Sequence, residues 1–419
     1  MVVLARTSAP VPRALIVGAG AAGLALAWWL DVFGRATGKP TSLTIVDAHG
    51  GAPPRKLWSF WGEVPGPARH TVDRTWHRMA FVDPSGARRT SALARRPYHT
   101  VRSEVYVAHL RAQLARSPHV DFVDGRALAI EDRGGEEGAS VRLEDGRTLV
   151  GRYAFQSVFR ASPRGVSTEP APLQQHFGGW EVETARPQRE ADAVTLMDFS
   201  GSSDPGVIAF RYVLPFSPHR RLVEHTELSG RPRDRAHYDR HIEGYLDRHI
   251  EGPWRVVRRE YGVIPMDPRP VVPQAGANVF HLGAAGGMTK PSTGYTFVRS
   301  LEQARRLAGS WYATGRPQPG TGSPWRFRAY DRIFLRVLQA HPERGPEFFS
   351  RLFRHPRFDD VLDFLDESSD PFAELRVLRR LPVAPFLRAL TGLVGSRLVP
   401  APLSPRPSVP PALSAGRSR

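Results

Sequence analysis

Cysteine is absent from the 419 residues, which excludes disulfides and thiolate chemistry and fits a reducing compartment. Lysine is nearly absent: it stands only at Lys39, Lys56 and Lys290, so the positive charge is almost all arginine. Zinc-ligand spacings, RNP motifs and basic heptads are missing, so no metal site and no nucleic-acid partner are expected. Long apolar runs are scarce. One uncharged stretch, ALIVGAGAAGLALAWWL at 14–30, follows Arg6 and Arg13 and imitates a signal peptide or a membrane span. It is short for a span, which needs about 20 residues, and its three regularly placed glycines point elsewhere.

What is present is an ordinary globular balance, 41% hydrophobic and 24% charged residues, with a formal net charge of +17. Nucleic-acid binding would account for that charge but has no motif to support it; attraction to an anionic membrane surface fits as well, and a plain bias toward arginine is the simplest origin.

Residues 1–12 read as a loose leader. Ala14–Val17 reads as a strand, GAGAAG as a turn, and the following residues as a helix to about Phe33. A second strand, Ser42–Val46, ends at Asp47, completing a βαβ opening. Val101–Ser117 reads as a helix, and 140–149 as a hairpin turning at Asp145-Gly146. From Tyr153 to Glu227 the pattern is mostly β. Helical patterns return at 238–248, 297–311, 330–338, 348–353, 358–365 and 371–398, and the Pro-rich tail from Pro400 reads as disordered. There is no internal repeat.

Gly18, Gly20 and Gly23 form G-x-G-x-x-G between strand and helix. The first serves the tight turn, the second lets the backbone approach a pyrophosphate, and the third allows close helix–strand packing. The helix N-terminus then faces the phosphates, and Asp47 stands where a carboxylate accepts ribose hydroxyls. The motif does not distinguish FAD from NAD. A later segment, NVFHLGAAGGMTKPSTGYTF, places Gly283, Gly286, Gly287 and the turn Pro291, Thr293, Gly294 between a strand and a helix. Such a loop lets the backbone approach a flat ring; a simple strand-to-helix connection reads the same way.

Several segments in order resemble the lycopene cyclase family, in particular its bacterial branch: VGAGAAGLALA, LWSFWG, YHTVRS, LQQHFGGWEVET, VTLMDF, YVLPFSPHRRLVEHTELS, EYGVIPM and GAAGGMTKPSTGY. They span roughly residues 14–297. The resemblance implies an α/β flavoprotein: a Rossmann-type FAD-binding fold of the aromatic-hydroxylase kind, an interleaved mixed β-sheet substrate domain and a helical C-terminal region. The corresponding divisions are 13–110 with 255–312 for FAD, 111–254 for substrate, 325–398 for the helical region and 399–419 for the tail. It further implies reduced FAD, NAD(P)H as electron donor, lycopene or a related acyclic carotenoid as substrate, and a cytoplasmic location on the inner face of the cell membrane. The activity implied is lycopene beta-cyclase, forming β-ionone rings (β-carotene or γ-carotene) with no net redox change. The family's acidic motif falls on Glu224-His225-Thr226, where the first acid is kept and the second is replaced by His225. The family's Asp-containing segment reads FQSVFRAS and has no carboxylate.

Such a cyclisation needs an acid held protonated in an apolar pocket, a cation stabiliser and a base. Glu224, at the end of an apolar strand, is the candidate acid, because burial raises a carboxyl pKa; the alternative is a surface carboxylate paired with Arg220 or Arg221. His225 is a candidate orienter or proton relay; alternation of side chains instead places it on the opposite face. Trp58, Phe60 and Trp61 are candidate substrate contacts through cation–π attraction, or plain core aromatics. The stretch 371–398, with Leu375, Leu378, Leu381 and Phe386 among its arginines, is either a membrane-surface helix or an ordinary packed one. Other reaction classes on the same fold are an FAD-dependent monooxygenase and an isoprenoid reductase; a non-catalytic flavin- or nucleic-acid-binding protein is a third reading.

Overall fold

A computed structural model describes residues 14–158, 173–201, 206–320 and 322–396. The leader, the Pro-rich tail and the end of FQSVFRAS lie outside those residues. In chain order the strands are β1 (Ala14–Val17), β2 (Leu43–Asp47), β3 (Leu57–Trp61), β4 (Val72–Trp76), β5 (Arg78–Val82), β6 (Arg88–Ala92), β7 (Tyr98–Arg102), β8 (Val120–Asp124), β9 (Ala127–Gly134), β10 (Gly138–Leu143), β11 (Thr148–Gly151), β12 (Tyr153–Gln156), β13 (Leu173–Thr184), β14 (Val194–Asp198), β15 (Ile208–Ser217), β16 (Arg220–Ser229), β17 (Trp254–Met266), β18 (Gln274–Ala275) and β19 (Val279–His281). The helices are α1 (Ala21–Thr37), α2 (Ser103–Leu114), α3 (Arg235–His249), α4 (Phe297–Thr314), α5 (Trp325–Ala340), α6 (Gly345–Leu352), α7 (Phe358–Leu365), α8 (Pro371–Leu378) and α9 (Val383–Ser396).

β1 is fully buried along its length because both faces of its sheet are covered. It is flanked in parallel by β2 and β12 in a six-stranded sheet of order β18-β19-β12-β1-β2-β8. Ala14 and Ile16 pack toward α1 and α4, while Leu15 and Val17 pack toward the antiparallel β9-β10-β11 layer through Val141 and Leu143. The apolar run at 14–30 is therefore a core strand and a core helix. Among the described residues no helix is long and apolar enough to cross a membrane.

A second sheet, of order β17-β13-β16-β15-β14-β5-β6, is antiparallel except for the β14–β5 pair. One face carries the largest core cluster, shared with the C-terminal helices through Phe199, Phe348, Phe353 and Leu362; the other is covered by α3 through Tyr238, Ile242 and Leu246. A small antiparallel sheet, β3-β7-β4, completes the β structure of the described residues. The strands interleave along the chain. β5 and β6 join the seven-stranded sheet, while β8 and β12, which follow them, return to the six-stranded one. The stretch from 371 is broken into α8 and α9, with Pro382 between them.

Candidate functional site

Cross-strand register sets a row of four residues on one face of the seven-stranded sheet. Glu224 on β16 lies opposite Tyr212 on β15 and Gly179 on β13, and Gly179 lies opposite Glu260 on β17. Because Gly179 has no side chain, the two carboxyls meet above it: a Cβ there would stand 2.7 Å from Glu224 Cγ and 3.3 Å from Glu260 Cγ. The carboxyls are hydrogen-bonded to each other. Two carboxylates cannot share a hydrogen bond, so one carries a proton. Burial first, then the charge of Glu260, pushes Glu224 well above the ordinary carboxylate range. Glu260 is raised too, by burial, but Arg258 (Nη2 to Oε2, 2.5 Å) and the Leu57 N–H (3.3 Å) favour its charged form. The pair thus favours the proton on Glu224, and Glu260 Oε1 is buried with no other hydrogen-bond partner. Glu224 lies deep among protein atoms, although part of its surface is accessible.

Around this pair stands a cluster of phenols. Tyr98 Oη is 2.7 Å from both Tyr212 Oη and Tyr295 Oη, and Tyr212 donates to Ser59 Oγ at 2.9 Å. Burial raises all three hydroxyls well above the ordinary tyrosine range. Tyr295 meets the Trp61 ring edge-on at 4.3 Å. β3 alternates, so Trp61 and Ser59 face this cluster. Trp58 and Phe60 face the other way, Trp58 stacked on Phe297 at 5.1 Å and Phe60 tilted against it at 5.4 Å. Phe60 still borders, with Trp61, Thr293, Tyr295 and Phe297, a small cleft that shares Lys290 and Leu365 with an apolar cavity of about 290 Å³ among α5, α7, α8 and α9.

His225 sits on the opposite face of β16 from Glu224. It is hydrogen-bonded through Nε2 to Glu227 Oε1 at 3.0 Å and stacked on His241 of α3 at 4.3 Å. Burial pulls its imidazole down to about 4. Burial opposes the charge on Glu227, but hydrogen bonds from His225 and His237 hold that carboxyl down to about 2. Neither group lies on the face of the sheet that holds Glu224.

The dinucleotide motif has the local geometry its residue types require. Gly18 takes φ +101°, and a Cβ there would stand 2.5 Å from Ser157 Oγ. A Cβ on Gly23 would lie 2.0 Å from the Gly18 carbonyl oxygen, which is the close packing expected of the third glycine. Gly20 has open space around it and caps α1 without any side-chain hydrogen bond, leaving the helix N-terminus available to an anion. Asp47 accepts from the His49 and Gly51 N–H groups and from Arg111 at 3.0 Å, with lone pairs to spare. Gly283 lies against the start of α1, its missing Cβ 3.1 Å from Ala22 Cβ. The two glycine-rich segments, far apart in sequence, thus converge. Gly286 could not carry a side chain without meeting the His281 carbonyl oxygen at 2.3 Å; Gly287 and Gly294 take φ of +78° and +77°. Pro291 and Thr293 form the turn between, whose Lys290 is buried and ion-paired to Asp331 (2.7 Å) and Glu367 (2.9 Å). An open helix start, an acidic residue on the next strand and a glycine-lined second loop fit an extended dinucleotide with a flat ring.

The model of the family described as "Lycopene cyclase protein" matches residues 14–391. The chain belongs to the lycopene cyclase family. It is 27% identical over 327 residues to the chloroplastic lycopene beta cyclase of an Oncidium hybrid cultivar, across 70% of this chain and 62% of that protein. It is 29% identical over 289 residues to a lycopene beta-cyclase of Paracoccus sp. (strain N81106 / MBIC 01143), across 64% of this chain and 66% of that one. The chain thus spans just under two thirds of these relatives' length. Among solved structures it resembles a geranylgeranyl bacteriochlorophyll reductase-like protein from Thermoplasma acidophilum (TM-score 0.58, 13% identity, 91% of this chain and 96% of that one). It also resembles a flavoprotein/dehydrogenase from Cytophaga hutchinsonii (0.57, 13%, 92% and 100%) and a flavin-dependent brominase (0.54, 14%, 92% and 100%). The architecture is that of these flavoproteins: α/β, with a Rossmann-type sheet, a second mixed sheet and a helical C-terminal region.

Within this cyclase fold, sequence reasoning singled out Glu224 but passed over Glu260, Gly179 and the three tyrosines. Gly178-Gly179 inside a strand was an available signal, since glycine in a strand interior marks a close approach. Which close approach it serves depends on register across three strands, which no local pattern displays.

Proposed function

We propose that this chain closes the linear ψ end groups of lycopene, or a related acyclic carotenoid, to β-ionone rings, giving β-carotene or γ-carotene, by proton transfer without net oxidation. The observation that carries this reading is the buried Glu224–Glu260 pair, in which burial and the neighbouring carboxylate favour the neutral acid at Glu224, beside the hydrogen-bonded Tyr98, Tyr212 and Tyr295. Glu224 holds the proton at its carboxyl and hands it to the terminal alkene. The neighbouring double bond attacks the tertiary cation, and a ring proton leaves to the Glu224 carboxylate. One proton enters and one departs, so the acid is restored. Arg258 keeps Glu260 charged throughout, which disfavours a second free charge on Glu224 and favours its return to the acid form. The edge of Trp61 and the hydrogen-bonded phenols exclude water, which would otherwise trap the cation as an alcohol.

Gly18, Gly20, Gly23 and Asp47 would hold FAD by its pyrophosphate and ribose, with Gly283, Gly286, Gly287, Pro291, Thr293 and Gly294 beside its ring. The chemistry that reduced FAD supplies when bound is negative charge next to a cation, with NAD(P)H as the ultimate electron donor. No catalytic role is given to His225. The apolar cavity, bordered by Phe334, Leu381 and Phe386, suits a polyene. Beside it, Phe372, Leu375, Val383 and Leu387 are exposed on α8 and α9 among Arg376, Arg379, Arg380 and Arg388. An apolar patch set in arginines suits the inner face of a cell membrane.

Expression in lycopene-making cells tests the reading: the pigment shifts from red toward yellow-orange, and the product keeps the mass of lycopene. Oxygen uptake coupled to product, or a gain of two hydrogens, would assign the chain to a monooxygenase or a reductase instead.

A further inference from the structure

On the far side of the seven-stranded sheet from the carboxyl pair, four potential ligands converge. His225 and Glu227 are alternate residues on one face of β16, and His237 and His241 stand one turn apart on α3, which packs against that face. We propose that His225, Glu227, His237 and His241 bind a divalent transition-metal ion of the zinc type, which fastens α3 to β16. One ligand atom from each residue can be chosen so that all lie within 4.8 Å of one another. A tetrahedral zinc site with bonds near 2.0–2.1 Å places its ligand atoms about 3.4 Å apart, so closing the shell requires the side chains to rotate, with His225 and His241 leaving their stacked arrangement and the Glu227 hydrogen bonds giving way to the ion.

Three imidazoles and a carboxylate are a donor set that suits zinc and its neighbours and not calcium or magnesium. Two polar atoms in the cluster are buried without a hydrogen-bond partner, Nδ1 of His225 and Oε2 of Glu227, and both residues are about 1% exposed. Buried polar atoms in folded proteins are normally satisfied, and a bound cation would satisfy an atom of this kind. His237 and His241 are only partly buried, which provides a route in from solvent. Opposing the ion are two cations, Arg233 with Nε 3.6 Å from Glu227 Oε2, and Arg211 opposite His225 on β15. Arg211 is drawn toward Asp198 and donates to the Ser200 carbonyl. The pattern escapes a sequence scan because His-x-Glu comes from a strand and His-x-x-x-His from a helix.

The test uses the full chain, stripped with chelator, dialysed, and titrated with zinc against a chromophoric competitor, with bound metal measured by mass spectrometry. We expect one zinc per chain, tighter than micromolar, and a rise in thermal midpoint on adding zinc. In His237→Ala/His241→Ala the affinity falls at least tenfold and the thermal rise disappears. Cobalt substitution should give the visible bands of a tetrahedral ion, lost in the same variant. If the double variant fails to fold, His241→Gln alone carries the comparison. Absence of stoichiometric binding overturns the proposal, and so does binding of equal strength in wild type and variant, which would place the ion elsewhere.

Discussion

The carboxyl of Glu224 faces that of Glu260 across Gly179, three neighbouring strands contributing one residue each. Burial raises both carboxyls, and Arg258 beside Glu260 favours the proton on Glu224. A surface pair of Glu224 with Arg220 is not formed: the Arg220 Nε instead donates to Glu181 at 2.7 Å.

Glu224→Gln keeps the shape of the site and removes the transferable proton. Positioned general acids contribute about 100- to 10,000-fold, and we expect a loss of that order in ring formation, with flavin uptake unchanged. Pigment analysis beside the flavin absorbance of the purified variant checks this. Full activity would remove Glu224 from the chemistry.

Activity should fall as pH rises through the raised pKa of Glu224, because the protonated form is the active one and deprotonation empties it. Glu260→Gln removes the negative neighbour that helps hold that pKa up, so the falling limb of kcat moves to lower pH. A limb that stays in place would show that Glu260 does not tune the acid.

Gly179→Ala tests the geometry without altering a charge. The added methyl would press on Glu224 Cγ at 2.7 Å and on Glu260 Cγ at 3.3 Å, separating the carboxyls. We expect kcat to fall at least tenfold while flavin binding persists; unchanged kcat would mean that contact between the two acids is dispensable.

The glycines of the dinucleotide motif should separate into two behaviours. At Gly20, with φ −89° and open space around it, alanine is compatible with the fold and obstructs only an approaching pyrophosphate. At Gly23 alanine collides with the Gly18 carbonyl. Gly20→Ala should therefore fold and bind flavin weakly, whereas Gly23→Ala should be unstable. Thermal melts and flavin titration distinguish them.

Lys290 joins the second glycine-rich loop to α5 and to the turn that follows α7 through Asp331 and Glu367. Lys290→Met leaves two buried carboxylates, with Arg299 as the remaining cation near Glu367, at 3.4 Å. Breaking one partner from a buried pair costs about 3–5 kcal/mol. Urea unfolding should show a loss of that order; a change below about 1 kcal/mol would mean that the ion cluster contributes little.

Much of this was legible from the residues alone. The βαβ opening, α2 within 101–117, the hairpin at 140–149, and α4 and α7 follow from apolar spacing and turn residues, and the structure places them there. The strands β4 and β6 were not legible, because VDRTW and RRTSA are mostly polar and carry no apolar stripe; β5 and β7 are short and buried almost throughout, and so show no two-residue alternation. The site divides in the same way. Glu224 and the glycines belong to contiguous motifs, whereas Glu260, Gly179 and Tyr98 reach the site only through long-range pairing. His225 is adjacent to Glu224 in sequence and on the other side of the sheet in space, as the two-residue period of a strand requires.

The most direct test of proton delivery by a carboxyl is cyclisation of lycopene in deuterium oxide, without oxygen and with reduced flavin, read by mass spectrometry of the product. For a single turnover of enzyme first equilibrated in deuterium oxide, so that the Glu224 carboxyl carries deuterium, the account predicts one deuterium in the ring formed and no other mass change, with ring formation abolished in Glu224→Gln. Rings that carry no solvent deuterium, or product whose formation consumes oxygen, would contradict it.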